Sequence, residues 1–399
     1  MNTSLSMTGQ TSKRQSWLAV SAVGLATFSV VTTEMLPVGL LTPIAQNLQT
    51  STGAAGLMIS LPALLAALFA PLVVLGSGGV DRRRILCALL GLLVLANIAS
   101  ALAPSMAWML VARVLVGFCM GGIWAIAGGL ASRLVPAPSI GLATSIIFGG
   151  VAAASVLGVP LGALMGEWAG WRWAFGAMAV FSALVLAFHL AVLPSLSVSS
   201  SASWGQFVEQ VRNRQLMLGL LLTFVLVAGH FSAFTFVRPL LLSVSGVEAP
   251  WIGALLFAYG IAGIVGNFLI GMSAARRTEL SLMAIAVGLI LTALLFLTVG
   301  GSPWRGGLVL LFWGLAYGGV SVGLMSWMMK AAPHAVEIAT ALYVAVFNIG
   351  IALGSGLGGQ TVDAYGVTAN LWVAGAGAFV AFLLLLGLGL RQRCQAGKL

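Results

Sequence analysis

Three charged side chains fall inside long apolar runs of this sequence: Glu34, Arg113 and Arg238. A charge in such a run is costly to bury, so it points to ion-pair or proton chemistry rather than to packing. Glu34 stands in VTTEMLPVG, Arg113 in LVARVLVG and Arg238 in FTFVRPLL. All three lie toward the same boundary of their runs, at depths that let Glu34 pair with one arginine and lower the cost of burying both. A carboxyl placed there can also carry a proton. An approaching guanidinium favours its ionised form, and an apolar surround favours its protonated form. The competing uses are a static ion pair for Glu34, a structural role for Arg113 and snorkelling of Arg238 to a polar boundary. His230, within AGHFSAFTFVRP, adds a group able to relay a proton or to serve as a hydrogen-bonding partner.

Other residues in the apolar runs suit solute binding. Trp124, Phe231, Phe234, Phe236, Tyr259, Trp313, Tyr317 and Tyr343 could line a cavity that stacks flat or apolar solutes, with packing between helices as the alternative. Asn267 and Asn348 are candidates for polar contacts in the same cavity. Pro37, Pro43, Pro62, Pro71, Pro160 and Pro239 can bend their segments and free backbone carbonyls. His189, His230 and His334 are scattered, and no metal-ligand or nucleophile–base spacing occurs. The three cysteines, Cys87, Cys119 and Cys394, form no disulfide or metal framework. A phosphate-binding Gly-Lys-Ser/Thr loop is missing. An enzyme, a bound metal and a cofactor are therefore not expected.

The elements that hold these residues follow from composition. Of 399 residues, 60% are hydrophobic and 7% charged, and the mean hydropathy is +1.10. A soluble domain carries about 25% charge, so the chain is a membrane protein, and its 51 glycines suit closely packed spans. Runs of about 20 apolar residues, the length needed to cross a bilayer, lie near 17–39, 53–76, 84–103, 107–132, 140–165, 171–193, 216–243, 250–274, 280–300, 306–329, 336–359 and 367–390. The first is too long for a cleaved signal and is read as a span.

Charge sets the orientation of these twelve spans. Lys13, Arg14, Arg82, Arg83, Arg84, Arg133, Arg212, Arg214, Arg276, Arg277, Lys330, Arg391, Arg393 and Lys398 fall in the tails or in even-to-odd connections, and Arg172 and Arg305 in loops of the other side. That bias places both termini in the cytoplasm and accounts for the net charge of +10 without nucleic acid. The polar stretch 194–215, with a short amphipathic piece at Trp204, Phe207, Val208 and Val211, divides the chain six plus six. The expected organisation is a tail (1–16), a six-helix bundle (17–193), a cytoplasmic linker (194–215), a second bundle (216–390) and a tail (391–399). The halves echo each other: spans five and eleven are both Gly-rich and end in an acid, Glu167 or Asp363, shortly before Gly170 or Gly366. Parallel repeats of this kind are built by secondary transporters, with the solute bound between halves at mid-membrane.

Several motifs resemble the major facilitator superfamily over essentially the whole chain. LVARVLVGFCMGG (110–122) is similar to its fourth-helix motif, with Arg113 at the arginine. GVPLGALMG (158–166) is similar to the fifth-helix antiporter motif through Gly158, Pro160 and Gly162, and GWRWAF (170–175) resembles the start of helix six in drug:proton antiporters. GSGGVDRRRIL (76–86) resembles a degenerate loop 2–3 motif: Asp81 and Arg82 match, but the Gly-Arg that follows in the family is missing. TTEMLPVGLLTPIAQNL (32–48) and AGHFSAFTFVRPLL (228–241) look most like bacterial efflux permeases for arabinose-type sugars and purine ribonucleosides. The resemblance implies an all-α membrane protein of the major facilitator fold, with twelve transmembrane helices in two six-helix pseudo-repeats. It implies a monomer in the bacterial inner membrane that exchanges protons for a small solute. Purine ribonucleosides come first, then sugars or amphiphilic drugs, and an uncoupled facilitator of the same fold is the rival. Glu34 and Arg113 would couple protons, and Trp124, His230, Phe234, Arg238, Tyr259, Asn267, Tyr317 and Asn348 would meet the solute.

Overall fold

The computed structural model describes residues 13–76, 80–136, 139–196, 204–274, 277–333 and 335–396. Most of the first tail, the Ser-rich 197–203, Arg276, His334 and Lys398 lie outside the described residues. Among the described residues there are fifteen helices: α1 (Lys13–Asn47), α2 (Thr52–Gly76), α3 (Arg82–Ala101), α4 (Met106–Leu134), α5 (Ile140–Trp168), α6 (Trp171–Val192), α7 (Trp204–Val211), α8 (Arg214–Phe234), α9 (Val237–Ser243), α10 (Ala249–Ala274), α11 (Thr278–Thr298), α12 (Pro303–Gly318), α13 (Val320–Ala331), α14 (Val336–Tyr365) and α15 (Ala369–Ala396). Among the described residues, twelve segments are long and apolar enough to cross a membrane.

The eleventh span runs on to Tyr365 rather than ending near 359, and three others differ in ways that bear on the site. The first does not end near residue 39; α1 continues to Asn47 through Pro37 and Pro43, because each proline removes one N–H yet the helix on either side is held by its neighbours. The seventh breaks after Phe234 and resumes as α9. The tenth breaks at Gly319, next to Gly318, where a Cβ would sit 2.0 Å from the Gly263 carbonyl oxygen of α10. The interruption lets two backbones touch that side chains would hold apart.

The two halves repeat one packing scheme. α1 packs on α5 as α8 packs on α14, α2 on α4 as α10 on α12, and α3 on α6 as α11 on α15. The turns after α5 and α14 also match, with Gly170 at φ 89° and Gly366 at φ 83°, a region that glycine enters without strain. Between halves, α2 meets α14 and α5 meets α10.

Twelve crossings bring both chain ends to one face, here called terminal; the other is distal. Trp108, Trp168, Trp173, Trp251, Trp304 and Trp372 are exposed at helix ends on the distal face, where amphipathic indoles suit a membrane boundary. The halves are joined toward the distal face. A Cβ on Gly53 of α2 would lie 2.1 Å from Gly359 O of α14, so only glycine fits there. On the other seam Gly253 faces Leu164 and Gly260 faces Val156. Two turns further along that stripe, Asn267 is exposed, and a Cβ on Gly149 of α5 would meet nothing within 4 Å. The seam has parted by that level, toward the terminal face.

Candidate functional site

α1 carries the acid, and α5 lies against it closely because of two glycines of the antiporter-like motif. A Cβ on Gly158 would be 3.2 Å from Thr32 Cα, and one on Gly162 would be 2.6 Å from a Leu36 methyl, so the turn holding Glu34 is pressed onto bare backbone. Glu34 is 2% exposed, and its Oε1 is buried without a hydrogen-bond partner. Arg113 of α4 is 0% exposed. Its Nη1 donates to Thr33 O at 3.0 Å and its Nη2 to Ser100 Oγ at 2.6 Å, and its guanidinium lies 4.9 Å from the Phe175 ring centre. Among the described residues no ion pair joins it to Glu34. The expected pairing is not made in this conformation.

A polar network surrounds Arg113 inside the first half. Asn97 donates to Thr33 Oγ1 at 3.1 Å and to Ser182 Oγ at 3.4 Å, and Ser182 shares a 2.8 Å hydrogen bond with Ser29. These are neutral acceptors and donors from α1, α3 and α6. They meet Arg113 only through Thr33, whose carbonyl, with Ser100 Oγ, supplies the neutral acceptors for its two Nη groups, while its Nε is buried without a partner.

Arg238 belongs to the seam between halves. It is 4% exposed, ion-pairs with Glu167 of α5, and donates from Nη1 to Gly39 O of α1 at 3.1 Å. The second acid of the sequence echo does the reciprocal thing: Asp363 of α14 accepts from Gly53 N at 2.8 Å and from Ser51 Oγ, at the start of α2. Glu167 and Asp363 were not among the residues expected to act. The signal for them is an acid three residues before a left-handed glycine in each half.

The second half holds an aromatic column. Tyr317 stacks on His230 with ring centres 3.3 Å apart, His230 on Phe234 at 4.9 Å, and Phe234 on Tyr259 at 5.0 Å. Trp313 closes the edge of the column and donates from Nε1 to His230 Nδ1 at 3.1 Å. Indole can only donate, so Nδ1 must offer its lone pair and His230 is the neutral Nε2–H tautomer here. The Tyr317 hydroxyl and Asn348 Oδ1 are buried without partners. A cavity beside His230 and Trp313 measures only about 10 Å³, the limit for one water, so a solute does not fit inside this packed core. Trp124 lies apart, half-buried against the first half's core. Phe236 is buried at the α2–α14 seam, where its ring would meet a Cβ on Gly56 at 2.5 Å, and Tyr343 packs on Phe347.

The loop 2–3 motif works locally. Asp81 caps α3 by accepting from Arg83 N at 2.8 Å, and also accepts from Leu196 N at 2.9 Å and from Ser195 Oγ. Partial burial works against its charge, but the hydrogen bonds from Ser195, Leu196 and Arg83, with Arg84 nearby, hold the carboxylate below its ordinary range. Arg82 donates its backbone N–H to Leu196 O at 3.0 Å. These bonds tie the loop to the chain just after α6. Pro160 lies inside α5 without ending it, and α7 exposes Val208 and Val211.

Comparison with known proteins bears on all of this. A Pseudomonas aeruginosa protein named transcription regulatory protein OpdE is 34% identical over 386 residues, covering 96% of each chain. Among solved structures, a bacterial homologue of the human lysosomal transporter Spinster, in an inward-facing and occupied conformation, matches with TM-score 0.70 and 16% identity over 95% of this chain and 96% of that one. The human organic anion transporter MFSD10 matches with TM-score 0.65 and 20% identity over 94% of this chain and 100% of its own. At those identities the likeness is one of fold. The family model described as the Major Facilitator Superfamily matches residues 23–343, most of the chain. With twelve spans, the repeated packing of its halves and that match, the chain belongs to the Major Facilitator Superfamily and has the fold of a secondary transporter.

Proposed function

We propose that this transporter is a proton-coupled antiporter of the bacterial inner membrane, with both termini in the cytoplasm, that exports a small solute by alternating access. The observation that carries this reading is Glu34: a carboxyl 2% exposed, with an unpartnered Oε1, beside an Arg113 held by neutral groups. An acid in an apolar surround keeps its proton, and the same acid beside a guanidinium gives it up. A movement of Arg113 relative to α1 would then convert a change of access into uptake or release of one proton. Each entering proton contributes about 2.3 kcal/mol per 100 mV of membrane potential, enough to drive a neutral solute uphill.

Purine ribonucleosides are the first solute class, on the resemblance of residues 32–48 and 228–241, with sugars and amphiphilic drugs after them. The aromatic column supports a flat solute, since its stacked rings end in half-buried Tyr317 and Tyr259. Asn267, exposed where the α5–α10 seam opens, fits a polar contact at the same opening. The OpdE name speaks of transcription; export of a solute that a separate regulator senses would produce such an effect without contact to DNA.

The test is proton movement in liposomes carrying the purified protein, with inosine, guanosine, arabinose or a lipophilic cation added across a pH gradient. Flux triggered by inosine or guanosine alone is expected, and Glu34→Gln should reduce it to background while the protein stays folded. Unchanged coupled flux in that variant would sink the carrier role of Glu34. Solute equilibration with no proton movement would make the protein a facilitator.

A further inference from the structure

Both intramembrane arginines bind α1, and both bind it at a carbonyl released by a proline. In a helix the carbonyl of residue i accepts from the N–H of residue i+4. Proline has no N–H, so Pro37 leaves Thr33 O without its helical donor, and Pro43 does the same to Gly39 O. Arg113 Nη1 takes Thr33 O at 3.0 Å, and Arg238 Nη1 takes Gly39 O at 3.1 Å. The two arginines come from different halves, yet each finds the one kind of backbone acceptor an intact helix does not offer.

We propose that Pro37 is a positioning residue for proton coupling: by freeing Thr33 O it gives Arg113 a neutral anchor one residue from Glu34 and so keeps the guanidinium off the carboxylate in this conformation. The anchor is completed by Ser100 Oγ at 2.6 Å. With both Nη groups occupied by neutral oxygens, the charge stays near Glu34 without an ion pair. Release of either anchor lets the guanidinium turn to the unpartnered Oε1.

Arg113 is the charged group that acts on Glu34 among the described residues. It comes from α4. From α9, Arg238 meets α1 more than a turn further on, at Gly39 O, and is committed to Glu167 of α5. From α6, Arg172 binds Asn47, further still along α1 at its end, and Ala103 O. None of these others competes for the Glu34 carboxyl. Pro43 acts elsewhere on α1, since its freed carbonyl receives Arg238 across the halves, where the distal seam is closed.

This inference rests on the proton-carrier reading of Glu34, and the experiment separates the two. Coupled flux would be measured against pH in liposomes with the whole chain, for wild type, Pro37→Ala, Ser100→Ala, Pro43→Ala and Glu34→Gln. In Pro37→Ala a new N–H satisfies Thr33 O and displaces Arg113 toward Glu34. The proton is then held less firmly, and the midpoint of the pH profile should move to lower pH by about 0.5–1 unit. Ser100→Ala, which leaves α1 untouched, should move it the same way and covers the case in which Pro37→Ala fails to fold. Pro43→Ala, which disturbs Arg238, should alter the rate but leave the midpoint in place. Midpoints unchanged in both Pro37→Ala and Ser100→Ala, with Glu34→Gln inactive, would overturn the role of Pro37 and leave the carrier intact. A coupled Glu34→Gln would overturn the carrier itself. A shift in Pro43→Ala equal to that in Pro37→Ala would reduce the effect to a general disturbance of α1.

Discussion

The two halves share a packing scheme but not a core chemistry. Around α1, α3, α4 and α6 the first half buries Ser29, Thr33, Glu34, Asn97, Ser100, Arg113 and Ser182. Around α8, α10 and α12 the second half buries or half-buries the rings of His230, Phe234, Tyr259, Trp313 and Tyr317. On the proposed reading, the first bundle carries the proton and the second meets the solute with flat polarisable surface. A duplicated fold has been fitted with different interiors, and the seam between them is where the differences have to meet. Arg238 and Glu167 are the clearest meeting point, a base from the second half and an acid from the first.

The contrast can be broken from either side. The largest effect is expected from Arg113→Ala, which leaves Ser100 Oγ and Thr33 O without their buried donor. Hydrogen bonds to charged groups are worth about 1.5–3 kcal/mol each, and turnover should fall by at least about tenfold, with solute affinity changing less. Stopped-flow proton flux and calorimetric titration would separate the two; a pure loss of affinity would move Arg113 to the solute site. Tyr317→Leu should do the reverse. Losing the ring stacked on His230 removes about 0.5–1.5 kcal/mol of ring contact, a two- to tenfold weaker affinity for a flat solute, without shifting the pH profile. A displaced pH midpoint in Tyr317→Leu would mean that the halves do not divide the work.

The smallest effect is expected at Asp81, outside the membrane. Its folded-state pKa lies below the unfolded value, so its contribution to stability is complete above roughly pH 4 and is lost as pH falls through the folded value. Asp81→Asn should therefore melt slightly below wild type at neutral pH, and the gap should close on acidification. A gap that widens at low pH would show that the Ser195 and Leu196 bonds do not depend on the charge.

Much of this was legible in the residues. Glu34, Arg113 and Arg238 stood out because charge is rare in apolar runs, and each is buried. The acids before Gly170 and Gly366 marked the repeat, and the two turns share one backbone conformation. Partner choice was not legible. The depths of Glu34 and the arginines allowed more than one pairing, and the one formed by Arg238 involves Glu167, which the sequence marked only as part of the repeat. Likewise Pro37 and Pro43 were legible as residues that bend a segment and free carbonyls, but not which side chains take those carbonyls.

Sequence alone determined the class of the molecule: composition fixes a membrane solvent, run length fixes the number of spans, and the spacing of glycine, proline and charge points to the family. These are local quantities, set by each segment's own cost of transfer and its own backbone freedom. Only the tertiary structure decided which freed carbonyl receives which arginine, which acid reaches across the seam, and which rings stack. Those depend on the meeting of helices distant along the chain, where a close approach at one glycine moves a side chain by ångströms and an ion pair forms or does not.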